Sequence, residues 1–271
     1  MMEQEIIDLY KNPPQKYTEE HKALFMAFSD ALNRGIVRSC EKKNDTWIVN
    51  EWVKMGILTG FRMGELTAFP WSEKKPFFDK DTIPEKLFTL KDRIRIVPGG
   101  SSARNGCYIA TGVAIMPPAF INIGAYVDSG TLIDSHSLVG SCAQIGKNVH
   151  ISAAAIIGGV LEPVGANPVI IEDNVFVGGN SGIYEGTIVK KGAIIAAGVI
   201  ITASTPVFDL IENAWLIKPE GKGVVIPENA VVVAGSRPLK NNAGFHIYCP
   251  IIVKYRDDKT NTSVVLESLL R

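Results

Sequence analysis

The sequence lacks any excess of charge, any long apolar run and any paired cysteine motif. Its 271 residues include 28 Lys plus Arg and 28 Asp plus Glu, so the formal net charge is zero. This balance argues against a broad basic surface for nucleic acid. The longest apolar candidate, residues 192–203, is shorter than the roughly 18–20 residues that a membrane helix needs. The sequence therefore predicts neither a nucleic-acid-binding protein nor a membrane-spanning one.

The cysteines and the first residues indicate the compartment. Residues 1–15 contain neither a basic n-region nor an apolar h-region, so we expect no signal peptide and a cytoplasmic location. Cys40, Cys107, Cys142 and Cys249 show no paired spacing. That pattern favours reduced thiols over a disulfide framework or a zinc site, and we expect no metal.

Charge is scarce in the middle of the chain, and glycine is concentrated there. Residues 107–206 contain nine of the 56 charged residues, and residues 96–235 contain 20 of the 25 glycines. With 46% hydrophobic residues the chain can build a core in one or two domains. We expect an N-terminal helical α/β domain over residues 1–95, a distinct domain over 96–235, and a strand with a short helix over 236–271.

The N-terminal region shows signals for both helices and strands. Thr18 is a typical helix N-cap and Gly35 a typical residue after a helix end, which predicts a helix between them. Apolar segments on either side of residues 42–45 predict a hairpin. A second helix is predicted over 51–63. Residues 68–84, rich in proline, aromatics and lysine, predict an extended connection.

Aliphatic residues recur every six positions through the middle of the chain. Nine follow one another at this spacing over residues 109–157, and six more over 171–201. Small or β-branched residues fall four positions after most of them. Neither a helix nor a simple strand has this period. It predicts a mainly β fold, a left-handed parallel β-helix, in which three hexapeptides form one triangular coil and the aliphatic residues fill the interior.

The repeat is interrupted twice, over residues 162–170 and over residues 205–225. Segments that leave a rigid scaffold often carry binding residues. These two interruptions are therefore where we expect parts of a functional site.

Two segments beside the first interruption carry a more specific signal. Residues 122–152 are NIGAYVDSGTLIDSHSLVGSCAQIGKNVHIS, and residues 157–174 are IGGVLEPVGANPVIIEDN. In these runs, and over most of its length including the HIYCPIIVKYRD tail, the chain resembles the tetrahydrodipicolinate N-succinyltransferase family. The resemblance implies a homotrimer with active sites in clefts between neighbouring solenoids.

The same resemblance implies the reaction. Succinyl-CoA, a co-substrate rather than a bound cofactor, would donate its succinyl group to the amine of tetrahydrodipicolinate, present as hydrated L-2-amino-6-oxopimelate, in diaminopimelate and lysine biosynthesis. Neither a metal nor a covalent acyl-enzyme is expected from it.

Asp134 is the first candidate for a catalytic residue, because it occupies the aspartate of the family's GTxxD segment. It follows the inward Ile133, so its carboxylate should point outward and accept a proton from the attacking amine. On the residues alone, an aspartate that satisfies corner amides is the better interpretation, and the resemblance reverses that order. Asp128, one hexapeptide earlier, we assign to such a corner role.

The sequence lacks a second acidic residue that the family commonly has. The family commonly has a carboxylate where this chain has Gly182. Glu185 lies three residues later, and either replaces that acid or is a solvated surface residue.

Further candidates would bind substrate or CoA. Arg95 matches a family arginine used on a substrate carboxylate, and Arg104 lies close by. The planar fork of arginine suits that task, although both would also be ordinary at the surface. Ser141 is a candidate substrate contact, although a tight turn also favours a small residue there. Arg237 and Lys240, after the last coil, are candidates for the CoA phosphates.

Other interpretations remain. His136 and His150 are candidates because some solenoid acyltransferases use a histidine base, but a lone histidine is more often structural. The spacing does not supply the three converging histidines of a solenoid carbonic anhydrase. An acetyl-CoA-dependent enzyme with the same acceptor and a noncatalytic solenoid scaffold stay open. A nucleotidyltransferase is disfavoured, since the N-terminal region lacks an early glycine-rich turn for phosphate.

Overall fold

The computed structural model describes residues 2–70, 76–218, 223–240 and 242–256. The first 92 residues form helices and short hairpins. The helices are α1 (Met2–Lys11), α2 (Glu19–Asn33), α3 (Glu51–Met63) and a 3-10 turn over Leu90–Asp92, and the strands are β1 (Cys40–Lys43), β2 (Thr46–Val49), β3 (Leu66–Pro70) and β4 (Pro76–Lys80).

Both predicted helices are confirmed. Thr18 and His21 form a reciprocal cap on α2, in which each side chain accepts a hydrogen bond from the other residue's backbone N–H, at 3.4 and 3.1 Å. Gly35 follows the C-cap with a φ of 68°, the left-handed conformation that ends many helices. α3 spans the predicted residues and buries Ile57 in the N-terminal core.

The two hairpins differ from the sequence prediction in detail. The first turn is Asn44-Asp45, with φ values of 46° and 62°, so it is shorter than the predicted 42–45 and Lys43 already belongs to β1. Such two-residue turns match the twist of paired strands. Within the predicted extended connection, Phe69 and Phe77 pair across β3 and β4. Aromatic cross-strand pairs stabilise a hairpin, which the local proline content obscured.

The remaining strands are short, and most contain two residues. In chain order they are β5 (Arg95–Ile96), β6 (Ser102–Ala103), β7 (Tyr108–Ile109), β8 (Ala114–Ile115), β9 (Phe120–Ile121), β10 (Tyr126–Val127), β11 (Leu132–Ile133), β12 (Leu138–Val139), β13 (Gln144–Ile145), β14 (His150–Ile151), β15 (Ile156–Ile157), β16 (Ile170–Ile171), β17 (Phe176–Val177), β18 (Gly182–Ile183), β19 (Ile188–Val189), β20 (Ile194–Ile195), β21 (Ile200–Ile201), β22 (Phe208–Asp209), β23 (Ala214–Trp215), β24 (Val225–Ile226), β25 (Ala230–Val233), β26 (Ser236–Leu239), β27 (Asn242–Tyr248) and β28 (Ile251–Tyr255).

These strands build the predicted left-handed parallel β-helix. Consecutive strands turn onto three different sheets, and Tyr126 pairs with Gln144, 18 residues later. We call the sheets face 1 (β5, β8, β11, β14, β17, β20, β25), face 2 (β6, β9, β12, β15, β18, β21) and face 3 (β7, β10, β13, β16, β19, β24). The first interruption leaves the register intact, because Gln144 also pairs with Ile170 on the following coil.

The second residue of each solenoid strand points inward. Residues such as Ile133, Ile151 and Val177 are fully buried and stack along the axis. The small residues four positions later are buried as well, and the Ser137 hydroxyl donates to the carbonyl of Ser152 on the next coil at 2.9 Å. Interior hydroxyls such as that of Ser137 are therefore hydrogen-bonded between coils, whereas the buried Thr187 hydroxyl has no partner among the described residues.

A backbone feature repeats with the same period. The residue three positions after an inward aliphatic has a positive φ at most corners; Gly112, His136, Asn148 and Gly192 are examples. Glycine and asparagine tolerate this left-handed conformation best. The concentration of glycine in the middle of the chain follows from these corners.

The N-terminal region packs on face 3. Arg38 donates from Nε to Oε1 of Gln144 at 3.0 Å, and its guanidinium lies 3.5 Å from the centre of the Tyr126 ring. Cys40 is buried against Ile170 and Ile188. Face 3 is therefore covered by residues of the same chain.

The C-terminal residues extend face 1. β28 pairs with β25 and with β22, and β26 pairs with β27 as a hairpin. The single strand predicted after residue 236 is replaced by three, and Cys249 and Pro250 separate β27 from β28. The short helix predicted in the tail lies outside the described residues.

Glu172 secures the β1–β2 hairpin to the solenoid. It is 7% exposed and accepts hydrogen bonds from Trp47 Nε1 at 2.9 Å and the Lys191 N–H at 3.1 Å, with Lys42 Nζ at 3.0 Å. Burial by itself raises the pKa of Glu172, but these donors outweigh it and hold the pKa below its ordinary value.

Glu172→Gln should therefore destabilise the fold in a pH-dependent way. A carboxyl whose pKa is lowered by folding stabilises above its unfolded pKa, about 4.3, and loses that effect as the pH falls through the folded value. We expect the variant to lose about 1–3 kcal/mol at pH 7, and the gap to narrow below about pH 4. Urea unfolding at fixed protein concentration, repeated across this pH range, measures the loss of stability and its pH dependence. Glu19→Gln, in an exposed ion pair with Lys22, should show no measurable change; a gap for Glu172→Gln that does not vary with pH would contradict the assignment.

Candidate active site

The predicted catalytic and substrate-binding residues lie on two edges of face 2 and on face 1. Asp134 follows β11 at the edge where face 1 turns into face 2, and Arg95 opens β5 two coils away on face 1. At about 4.8 Å per coil they are roughly 10 Å apart along the axis. Ser141 and Glu185 lie at the opposite edge of face 2, where it turns into face 3. One chain therefore does not bring Asp134 and Glu185 together.

Asp134 is half-buried, and its carboxylate accepts a hydrogen bond from the Ser135 N–H at 2.7 Å. Asp128 makes the same contact with the Ser129 N–H, also at 2.7 Å, at a different edge of the solenoid. No described residue donates a hydrogen bond to the second carboxylate oxygen of either residue. The local geometry of Asp134 is therefore that of a corner residue. What distinguishes Asp134 from Asp128 is its position at the edge of face 2, and the catalytic prediction depends on that position.

Arg104 lies at the first coil, on the same edge as Ser141 and Glu185. Its guanidinium donates to Asp79 Oδ2 at 2.6 Å and lies 5.4 Å from the centre of the Phe61 ring. The pair forms part of the wall of a cavity of about 350 Å³ between the β3–β4 hairpin and the first coil, with Phe120 opposite. Arg104 is thus already paired within the chain, which the sequence did not indicate.

The loop of the first interruption leaves the solenoid at Gly159, beside Ser141 on the preceding coil. Ser141 is 7% exposed, and its carbonyl accepts a hydrogen bond from the Val160 N–H at 3.0 Å. Further along, Lys54 Nζ donates to the carbonyl of Ala166. The loop is therefore fixed to the solenoid at one end and to α3 at the other.

Lys54 was not predicted from the sequence. Its side chain is 0% exposed, and burial lowers the pKa of its ammonium group. It lies one residue after Val53 and three before Ile57, both buried on α3. A lysine within such an apolar helix face is the signal that would have found it.

Gly182 is where the resemblance predicts the family's second acid, and the ring of Tyr184 lies over it. A Cβ atom on Gly182 would be 2.5 Å from Cε2 of Tyr184. Glu185 is exposed at the corner beside this ring. The space next to Gly182 is therefore occupied by an aromatic side chain.

The predicted CoA-phosphate residues lie beyond the last coil. Arg237, on β26, has its guanidinium 6.0 Å from the centre of the Trp215 ring, and Lys240 is exposed at the end of the same strand. Tyr248, paired with Ser236, accepts a hydrogen bond from the Ile200 N–H at 2.6 Å. The C-terminal hairpin is thereby joined to the last strand of face 2.

The two histidines have structural surroundings. His136 has the left-handed φ of 62° that recurs at the corners. His150 is buried on face 1, and its ring lies 4.9 Å from that of Phe176. In the described part of the chain no three His, Cys, Asp or Glu residues lie close enough to hold a metal ion. None of the described helices is long and apolar enough to cross a membrane.

Both the N-terminal region and the solenoid match known protein families. Residues 1–63 match the family model "Tetrahydrodipicolinate N-succinyltransferase N-terminal", and residues 168–203 match "Hexapeptide repeat of succinyl-transferase". A 2,3,4,5-tetrahydropyridine-2,6-dicarboxylate N-succinyltransferase of Paraburkholderia phymatum is 45% identical over 249 residues, 89% of this chain and 86% of that protein. The chain belongs to the tetrahydrodipicolinate N-succinyltransferase family.

Other members of this N-succinyltransferase family are similarly close. The protein of the same name from Psychrobacter sp. is 43% identical over 95% of this chain and 93% of its own length, and that of Rickettsia felis is 46% identical over 89% and 87%. A solved structure of a putative 2,3,4,5-tetrahydropyridine-2-carboxylate N-succinyltransferase from Campylobacter jejuni is 18% identical over 93% of this chain and 65% of that chain, with a TM-score of 0.45.

In this member of the N-succinyltransferase family, Lys54→Ala should loosen the first loop. The change removes the donor to Ala166 and leaves a carbonyl without its buried partner, which costs about 1–3 kcal/mol locally. We expect the backbone N–H groups of residues 160–166 to exchange with solvent roughly 10-fold faster or more, as measured by hydrogen–deuterium exchange. Lys43→Ala, an exposed lysine, is the control. Unchanged exchange in the Lys54 variant would show that the loop is held by other contacts.

Proposed function

We propose that the protein transfers the succinyl group of succinyl-CoA to the amine of tetrahydrodipicolinate, as hydrated L-2-amino-6-oxopimelate, in diaminopimelate and lysine biosynthesis. The observation that carries this proposal is 45% identity to a protein of that name across 89% of the chain. The matching region includes both the helical N-terminal part and the solenoid, so it is not a likeness between hexapeptide repeats alone.

The active unit in this proposal is a homotrimer. Asp134 and Glu185 lie at opposite edges of face 2, so a second copy against this face is needed to bring such residues into one cleft. Large apolar side chains of the β3–β4 hairpin support a subunit contact, since Phe77 is 58% exposed and Phe78 is 68% exposed.

The reaction is a direct attack of the amine on the thioester. As the C–N bond forms, the amine must lose a proton, and Asp134 is the group proposed to take it. The C–S bond then breaks, and the proton passes to the sulfur of the departing CoA. Arg95 and Arg104 are proposed to hold substrate carboxylates, the second by exchanging its bond to Asp79, and Ser141 to hydrogen-bond the substrate.

Binding of the CoA phosphates is proposed at the C-terminal hairpin. Arg237 and Lys240 supply cations there, and the bond between Tyr248 and Ile200 keeps this hairpin at the end of face 2. Glu185 remains a candidate for a second acid, because it is exposed and lies at the edge of the same face.

The identity of the acyl donor is tested by assaying the two thioesters separately. With the acceptor present, we expect kcat/KM for succinyl-CoA to exceed that for acetyl-CoA by about 10-fold or more, since the succinyl carboxylate offers a charged hydrogen-bonding group that acetyl lacks. Release of the CoA thiol measures both. A preference for acetyl-CoA would replace the succinyl assignment with the acetyl alternative.

The variant Asp134→Asn distinguishes the hypothesis of an enzyme from that of a noncatalytic scaffold. The amide cannot accept the amine proton, and we expect kcat to fall about 100-fold or more while the trimer, followed by light scattering, stays intact. Asp128→Asn is a matched control because Asp128 makes the same corner contact, which an amide oxygen can still accept, and its kcat should remain within about 3-fold of wild type. Equal activity in the two variants would make Asp134 a corner residue like Asp128.

A further inference from the structure

The Tyr184 side chain rests on two glycines of face 2. A Cβ atom on Gly182 would lie 2.5 Å from Cε2 of the ring, and one on Gly158, on the preceding coil, would lie 3.0 Å from Cδ1. Neither glycine has a left-handed φ, so the backbone does not require glycine at these positions. The ring crowds both positions, so a larger residue would push it away, and at Gly158 the carbonyl oxygen of Ile183, 3.2 Å from that Cβ, adds to the crowding.

The hydroxyl of this ring makes no hydrogen bond to the described part of the chain, and it is not buried. The hydroxyl oxygen lies 2.9 Å from the position of a Gly182 Cβ, and so over face 2 rather than in the solvent beyond the corner. A held ring with an unused hydroxyl is a preorganised hydrogen-bonding group.

The surroundings of the hydroxyl on face 2 are apolar. The outward residues of successive strands there are Leu138, Ile156, Gly182 and Ile200. At about 4.8 Å per coil this row is roughly 14 Å long. Ile156 is partly exposed and Ile200 is 37% exposed. The row is therefore an apolar strip with one hydroxyl within it.

One end of the strip leads to cationic groups. The Ile200 N–H donates to Tyr248, which pairs with Ser236 next to Arg237. On the same coil, Lys218 Nζ donates to the carbonyl of Ala203 at 2.7 Å. A ligand lying along the strip would thus have an uncharged body over face 2 and anionic groups toward the C-terminal hairpin.

We propose that the Tyr184 hydroxyl hydrogen-bonds an amide of the pantetheine arm of the acyl-CoA. The arm is a long uncharged chain that carries two amides and ends in phosphates, which matches the strip in length, polarity and direction. This assignment rests on the proposed function, since that function requires an acyl-CoA at face 2. Gly158 and Gly182 serve to seat the ring, and Tyr184 is a donor-binding residue specific to this arrangement.

Tyr184→Phe tests the contact, because it keeps the ring on its glycines and removes one oxygen. We expect KM for succinyl-CoA to rise about 5- to 20-fold, with the acceptor KM and the melting temperature unchanged. Succinyl-pantetheine, which lacks the nucleotide, should show the same fold-change. Tyr10→Phe, on α1, is a matched control that should leave all these values unchanged.

Two results would overturn the proposal. A rise in the acceptor KM alone would place the hydroxyl on the acyl acceptor. A lower melting temperature or a dissociated trimer, with the KM for succinyl-CoA unchanged, would place it in a subunit contact.

A second variant tests whether Gly182 positions the Tyr184 ring. Gly182→Ala should displace Tyr184 and weaken binding of the donor about as much as Tyr184→Phe, and adding Tyr184→Phe to it should weaken binding little further. Fully additive effects would show that the ring and the glycine act separately, against the proposal.

Binding of free CoA keeps this inference distinct from the proposed reaction. If the wild-type protein binds CoA but transfers no succinyl group, the proposed reaction fails, and a 5- to 20-fold weaker Kd in Tyr184→Phe still supports the arm contact. If transfer occurs and neither Kd nor KM changes in the variant, the inference on Tyr184 fails and the reaction stands.

Discussion

The structure depends on the burial of one aliphatic side chain from each hexapeptide inside the solenoid. Each two-residue strand is too short to be stable alone, so it persists only because its inward residue stacks on those of the coils above and below. Ile133 and Ile151 are 0% exposed in this stack, and every coil also donates backbone hydrogen bonds to the next. Closing a coil in 18 residues requires sharp corners, which explains the left-handed residues at a six-residue period.

The rigid prism decides which surfaces remain for function. Face 3 is covered by the β1–β2 hairpin and α2, through contacts such as Arg38 on Tyr126 and Cys40 on Ile170. Face 2 keeps partly exposed apolar residues and has candidate site residues at both edges. The loop of the first interruption is fixed by Lys54, so a helix of the N-terminal region positions a segment next to Ser141. The solenoid thus supplies the frame, and the N-terminal region supports one part of the candidate site.

Much of the fold was predictable because the aliphatic residues that fill the solenoid recur every six positions in the sequence. The inward residues, the buried small residues and the ends of α2 and α3 follow from local rules of packing and capping. The pairing of β3 with β4 was not predicted, since the contact of Phe69 with Phe77 joins two strands and neither segment alone indicates it. The contacts of Lys54 with Ala166 and of Arg104 with Asp79 were missed because each joins groups at least 25 residues apart, so no local pattern contains both partners.

The sequence by itself determined the coil, the direction of each strand residue and the family, because a six-residue period and the VGSCAQIGKNVH run admit few alternatives. Only the tertiary structure decided which groups are free to act. It paired Arg104 with Asp79, seated Tyr184 over Gly182 and separated Asp134 from Glu185 by the width of face 2. The physical reason is that charge pairing and steric fit depend on distances between coils and between domains, and these distances exist only after the chain has wound and packed.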